Sequence, residues 1–139
     1  PDILRSFDEN RAVIIRNPQS TRPWQHVLEP LSGYMVLAQK LFNDPSKFSQ
    51  AWNFGPEDND VRPVSWILKK LLEKWGDEKW ELDSGEQPHE AAYLRLDISK
   101  AKQILDWEPK VSLKDGLKNE YLWACKNLNR WDKIYSTQW

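Results

Sequence analysis

The stretch Val13-Ile14-Ile15-Arg16-Asn17-Pro18-Gln19-Ser20-Thr21-Arg22-Pro23-Trp24-Gln25-His26-Val27 decides how this chain is read. Ala12 through Ile15 is a β-branched apolar run, which predicts a short strand ending at Arg16. Asn17-Pro18 opens a loop. From about Gln25 to Phe42 apolar residues recur at helical spacing: Val27, Leu31, Tyr34, Met35, Ala38, Leu41 and Phe42. That pattern predicts a helix. Pro30 is tolerated because it falls in the first turns. A strand, a loop carrying two arginines and a helix in succession point to an α/β or α+β chain.

The flanks extend the pattern. PDILRSF at residues 1–7 predicts an amphipathic helix with Ile3, Leu4 and Phe7 on one face and Pro1 in its first turn. With no initiator Met and no polar lead-in, the expectation is a chain entered partway through something larger. Ala51-Trp52-Asn53-Phe54-Gly55-Pro56 predicts a second strand. Val64, Ile67, Leu68, Leu71, Leu72 and Trp75 mark a helix, with Gly76 as its cap. Lys79–Leu82 and Tyr93–Asp97 predict two more strands around the polar loop Asp83–Glu90. Ser99 predicts the cap of a short helix through Leu105. Ser112 with Asp115 opens the last helix, whose expected stripe is Leu113, Leu117, Tyr121, Ala124, Leu128 and Trp131. The expected organisation is one domain over 1–131 and a tail over 132–139.

Composition excludes several classes. In 139 residues, 40% are hydrophobic, enough for a core and too many for disorder. Twenty basic residues against 21 acidic ones give a net charge of −1, which argues against a nucleic-acid polymer or an anionic membrane as partner. No run approaches the ~20 apolar residues of a membrane span, and no basic-then-apolar leader opens the chain. The default expectation is a cytoplasmic protein. Cys125 is the sole cysteine, so no intrachain disulfide forms; it reads as a buried apolar residue. With only His26 and His89 beside it, a metal centre is not expected.

No catalytic constellation is visible. The five glycines are scattered singly, so the phosphate-cradling Gly-rich patterns are absent, and no GxSxG elbow exists. One binding device stands out. Arg16 and Arg22 flank a loop, and Trp24 and His26 follow at once. Arginine stays charged and grips phosphate bidentately, and a nearby helix N-terminus adds favourable potential. The loop therefore reads as a phosphate or diphosphate site, or as a surface loop with solvated arginines. His89-Glu90 reads as a donor and acceptor for phosphate and a sugar hydroxyl, or as ordinary loop polarity. Nine tryptophans are too many for filling alone. Trp24 is the ligand-facing one, while Trp66, Trp75, Trp123 and Trp131 read as core or interface anchors.

These pieces, in order, resemble the C-terminal substrate domain of extended short-chain dehydrogenase/reductases that act on nucleotide sugars. The motifs are Arg22-Pro23-Trp24-Gln25-His26-Val27 opening a helix, the strand end Trp52-Asn53-Phe54-Gly55, then Asp97-Ile98-Ser99-Lys100-Ala101, Leu105-Asp106-Trp107-Glu108-Pro109, and the stretch Leu113–Leu117. The wording IRNPQSTRPWQHVLEPLSGY and QPHEAAYLRLD is similar to the branch of lyases that remove water from CDP-glucose. The resemblance implies an α/β substrate-binding domain of short strands and four to five helices, without its N-terminal Rossmann half. It implies that Ile15 and Arg16 lie near the base through backbone, with Arg22 and Trp24 at the nucleotide and His26 beside them. It further implies His89 at the phosphate and Glu90 as hydroxyl acceptor.

The resemblance also implies NAD in the parent enzyme and none on this chain alone, because the family's Gly-x-x-Gly-x-x-Gly and Tyr-x-x-x-Lys are both missing here. No catalytic residue is assigned, and the chain alone is expected to be inactive. The implied product, CDP-4-keto-6-deoxyglucose, feeds dideoxysugars of lipopolysaccharide O-antigen. The implied partners are CDP-glucose and the missing Rossmann half, in a parent that is a homodimer. Because the last helices and first strands of the family pack on that half, exposed apolar surface is expected. The alternatives are a nucleotide-sugar epimerase relative and a non-catalytic, tryptophan-rich module for carbohydrate or protein.

Overall fold

The computed structural model describes residues 2–76, 79–85, 91–130 and 133. Five α-helices are present among them: α1 (Asp2–Asp8), α2 (Leu28–Asn43), α3 (Pro45–Phe48), α4 (Val64–Trp75) and α5 (Leu113–Asn127). The strands are short: β1 (Val13–Ile15), β2 (Thr21–Pro23), β3 (Val61–Pro63) and β4 (Trp80–Leu82). A 3₁₀ turn spans Asp58–Asp60 and a π-helical turn Ala101–Leu105. β1 pairs with β4, and β2 with β3. The chain divides into two compact units. The first comprises Pro1–Arg22, Arg62–Leu94 and Leu117–Trp139, and the second Pro23–Val61 and Arg95–Gly116.

The first unit is built on aromatic packing. The α4 stripe predicted from its 3.6-residue spacing is buried at Ile67, Leu68, Leu71 and Trp75. Trp75 meets Phe7 of α1 at 5.9 Å between ring centroids and Tyr121 of α5 edge-on at 5.9 Å. The Tyr121 hydroxyl donates to the Lys74 carbonyl at 3.0 Å, so its polar end is satisfied inside the core. Cys125 is fully buried beside it on the same helix, as expected. α4 stops at Gly76, whose φ of 127° a side chain would resist. β1 and β4 run parallel, with Val13 opposite Trp80, Ile14 opposite Glu81 and Ile15 opposite Leu82.

The second unit gathers Phe48, Phe54, Ala101, Leu105 and Trp107 into one cluster, with Val36, Leu37, Leu41 and Trp52 packed on it. Phe54 and Trp107 meet edge-on at 4.9 Å. The absence of a side chain at Gly33 admits the Phe54 ring, which any Cβ there would overlap. Glu29 is buried, and its two carboxylate oxygens accept from the backbone N–H groups of Lys110 (2.9 Å) and Val111 (2.8 Å). The last helix opens as predicted. The Ser112 hydroxyl donates to Asp115 at 2.7 Å and accepts the Asp115 N–H at 3.1 Å.

Several expectations are corrected. The apolar residues that predicted α2 divide: Leu31, Tyr34, Met35 and Phe42 are exposed, Phe42 at 90%, while Leu41 packs on the core cluster. A second face, Glu29-Gly33-Val36-Leu37, turns inward, because the Gly33 gap and the carboxylate bonds of Glu29 favour it. Residues 51–56 form no strand. Their carbonyls bond side chains instead of a ladder, Ala51 taking Lys100 Nζ at 2.8 Å and Phe54 taking Gln25 Nε2 at 3.0 Å. Tyr93–Asp97 contributes only a single parallel bridge, Thr21 to Tyr93. Asp97, rather than Ser99, caps the turn before Leu105, accepting the Ser99 N–H at 2.9 Å. Of the two readings of Trp123, core or interface anchor, its 62% exposure leaves the interface one. Trp131 and all of 132–139 except Lys133 lie outside the described residues.

Candidate functional site

In the first unit the candidate residues surround the ends of the polar loop. Ile15 ends β1 half-buried, and its carbonyl accepts the Asp83 N–H at 3.0 Å. The Asp83 carboxylate in turn accepts the Gly85 N–H at 2.9 Å. One end of the loop is thus tied to β1. Arg16 is exposed. The turn after it supplies acceptors to α4: the Ser20 carbonyl takes the Val64 N–H (3.0 Å) and the Pro18 carbonyl takes the Ser65 N–H (2.8 Å). These first amides of α4 are therefore satisfied by backbone.

Arg22 is half-buried on β2. Its Nη1 donates to the Thr21 carbonyl and to the Ala91 carbonyl, both at 2.9 Å. Both hydrogens of that nitrogen are committed to backbone. Nothing in the sequence pattern marks this use of the guanidinium; it depends on residue 91 returning to strand β2 across 69 positions.

In the second unit, Trp24 and His26 are half-buried ahead of α2. The His26 Nδ1 accepts the Leu28 N–H at 3.3 Å, and the His26 carbonyl accepts the Glu29 N–H at 3.0 Å. The ring thus acts as the cap of α2 and offers Nε2 as its donor. The first turn of α2 already contains the buried Glu29 carboxylate, which opposes a second anion there. His89 and Glu90 lie outside the described residues.

The glycines test the fit of a dinucleotide. Gly33 admits Phe54, Gly55 faces Leu96 and Ile98, and Gly116 faces His26 Cβ at 3.2 Å. Gly76 caps α4, and Gly85 bonds Asp83. None of these glycines stands in a phosphate cradle. A small polar cavity of the second unit, about 110 Å³, is lined by Glu57, Asp58, Arg95, Asp97 and Lys102. Its cations are paired, Arg95 with Asp58 and Lys102 with Glu57, each at 2.5 Å. Hydrogen bonds from the Ser99 backbone and hydroxyl, with Arg95 nearby, hold the Asp97 carboxyl below its ordinary value. Among the described residues no group of side chains could hold a metal ion, and no helix is long and apolar enough to cross a membrane.

No family model matches the chain. Comparison with solved structures is decisive for the fold. A crystal structure of UDP-glucuronic acid 4-epimerase from Bacillus cereus, in complex with UDP-glucuronic acid and NAD, superposes with a TM-score of 0.76 at 21% identity over 91% of this chain and 39% of that one. The chain therefore shares the fold of the matching part of that epimerase. In sequence, the chain is 55% identical over 124 residues to CDP-glucose 4,6-dehydratase of Salmonella typhimurium, a match that spans 88% of this chain and 34% of that protein. It is therefore homologous to that enzyme. UDP-glucuronic acid decarboxylase 1 of Arabidopsis thaliana is 28% identical over 83% of this chain and 25% of its own length. The chain thus spans about a third or less of these curated relatives.

Proposed function

We propose that this chain is the nucleotide-sugar-binding portion of an NAD-dependent lyase, a CDP-glucose 4,6-dehydratase. The observation that carries the reading is 55% identity over 88% of the chain to an enzyme of that name. In this reading Ile15 and Arg16 meet the cytosine through backbone, and Arg22 contacts the diphosphate or ribose. Trp24 covers the nucleotide and His26 Nε2 donates to it, while His89 donates to phosphate and Glu90 accepts a sugar hydroxyl. Cytosine presents an amine where uracil presents a carbonyl, so a backbone acceptor discriminates between them.

The rest of the enzyme is the proposed partner. It brings NAD and the Tyr-x-x-x-Lys acid/base pair, since no glycine of this chain cradles phosphate; no chemical step runs through this chain's own residues, which bind and orient. It also covers the apolar face of α2. That face, Leu31-Tyr34-Met35-Phe42, is exposed, and two thirds of the homologue's length lies outside the match. The whole enzyme is a cytoplasmic homodimer that serves dideoxysugars of surface polysaccharide. A second reading, a nucleotide-sugar epimerase, has support in the B. cereus fold neighbour, and product analysis of the whole enzyme decides between them. Calorimetric titration of the whole enzyme with CDP, UDP and dTDP tests the proposal. The expected result is a preference for CDP of about tenfold or more; equal affinities contradict the cytidine assignment.

A further inference from the structure

Resting on that reading of the site, we propose that Arg22 is a positioning residue that clamps the exit of the polar loop onto strand β2 before any ligand arrives. Four hydrogen bonds meet there. Arg22 Nη1 bridges the Thr21 and Ala91 carbonyls at 2.9 Å each. The Thr21 N–H donates to the Ala92 carbonyl at 2.8 Å, and the Leu94 N–H donates to the Thr21 carbonyl at 3.1 Å. The Thr21 carbonyl thus accepts twice, from Arg22 and from Leu94, and the two bonds share one oxygen.

The bridge from Thr21 to Tyr93 is an isolated one, with no ladder on either side to support it. A single bridge is weak, since sheet pairing gains its strength from successive pairs. Ala91, Ala92 and Tyr93 are exposed and bring no buried apolar anchor. The guanidinium supplies what the ladder lacks: a planar, charged donor that spans two carbonyls from two segments. Ala91 follows directly on Glu90 in sequence, so the clamp fixes where the loop carrying His89 and Glu90 rejoins the unit. The opposite end is fixed by the Asp83 N–H on the Ile15 carbonyl at 3.0 Å. Both bonds leave one nitrogen, Nη1, whose two N–H directions are fixed in the guanidinium plane, whereas the three donors of a shorter lysine ammonium are not held toward the two carbonyls.

The test compares wild type, Arg22→Lys and Arg22→Ala in the whole enzyme by amide hydrogen exchange without ligand, and by calorimetry with CDP. The clamp predicts that exchange at the Thr21 and Leu94 amides rises about tenfold or more in both variants, while α4 amides at Ile67–Leu71 keep the wild-type rate. It also predicts that Arg22→Lys loses as much CDP affinity as Arg22→Ala, although the charge is kept. Unchanged exchange at Thr21 and Leu94, or full affinity in Arg22→Lys, overturns the clamp and leaves Arg22 as a charge on the ligand. If Arg22→Ala also loosens α4, Arg22→Lys alone decides by the same comparison. A wild type that binds no CDP refutes the proposed function, and the exchange result still decides the clamp.

Discussion

Two helices of this molecule carry equally legible apolar stripes and meet opposite fates. In α4 the stripe Ile67-Leu68-Leu71-Trp75 is buried, and Trp75 is only 1% exposed between Phe7 and Tyr121. In α2 the stripe Leu31-Tyr34-Met35-Phe42 faces outward, while Glu29 and Gly33 face in. Periodicity identifies an apolar face; it does not say what covers it. α4 finds its cover within the first unit. The inward face of α2 is chosen by two local devices, a gap at Gly33 and a carboxylate with two backbone donors, and its larger apolar face is exposed.

Substitutions can break or sharpen this contrast. Trp75→Ala in the chain opens a cavity in a closed core and costs about 3–5 kcal/mol, read by urea unfolding; a cost like that of a surface change would refute the closed core. Glu29→Ala removes the acceptor of the Lys110 and Val111 amides and costs about 2–4 kcal/mol by the same measurement, which tests whether that bond pair selects the inner face of α2. Met35→Ser and Phe42→Ser shift the unfolding midpoint of this chain little, within about 0.5 kcal/mol, yet cost about 1–3 kcal/mol each in the whole enzyme. Equal effects in the two settings would mean that the outer face of α2 stays uncovered.

The smallest effect concerns Asp97. Bonds from Ser99 lower its folded-state pKa below the unfolded value. Its contribution to stability is therefore complete above the ordinary carboxylate pKa and is lost as pH falls through the lowered one. Asp97→Asn removes that part of the acid dependence, and unfolding midpoints of variant and wild type converge once pH falls below the lowered folded-state pKa of Asp97.

Much of the fold was legible because local chemistry fixed it. The helical period of α4, the Gly76 cap and the Ser112–Asp115 box each rest on neighbours in sequence. The misread elements rest on distant partners. Residues 51–56 have strand composition, but Gln25 and Lys100 take their carbonyls, so no ladder forms. Of the site, Arg22 and His26 were visible as residues, but their backbone partners were not. The Ala91 carbonyl and the Leu28 amide become partners only once the chain has folded. The proposal of a partner half rests on motifs missing from the sequence, which no contact within the chain reveals.

The most direct test of the account is turnover of CDP-glucose by the 139-residue chain alone and by the same chain joined to the remaining two thirds of its homologue's length. The account predicts a 4-keto-6-deoxy product only from the joined polypeptide with NAD. Product from the 139 residues alone would contradict it.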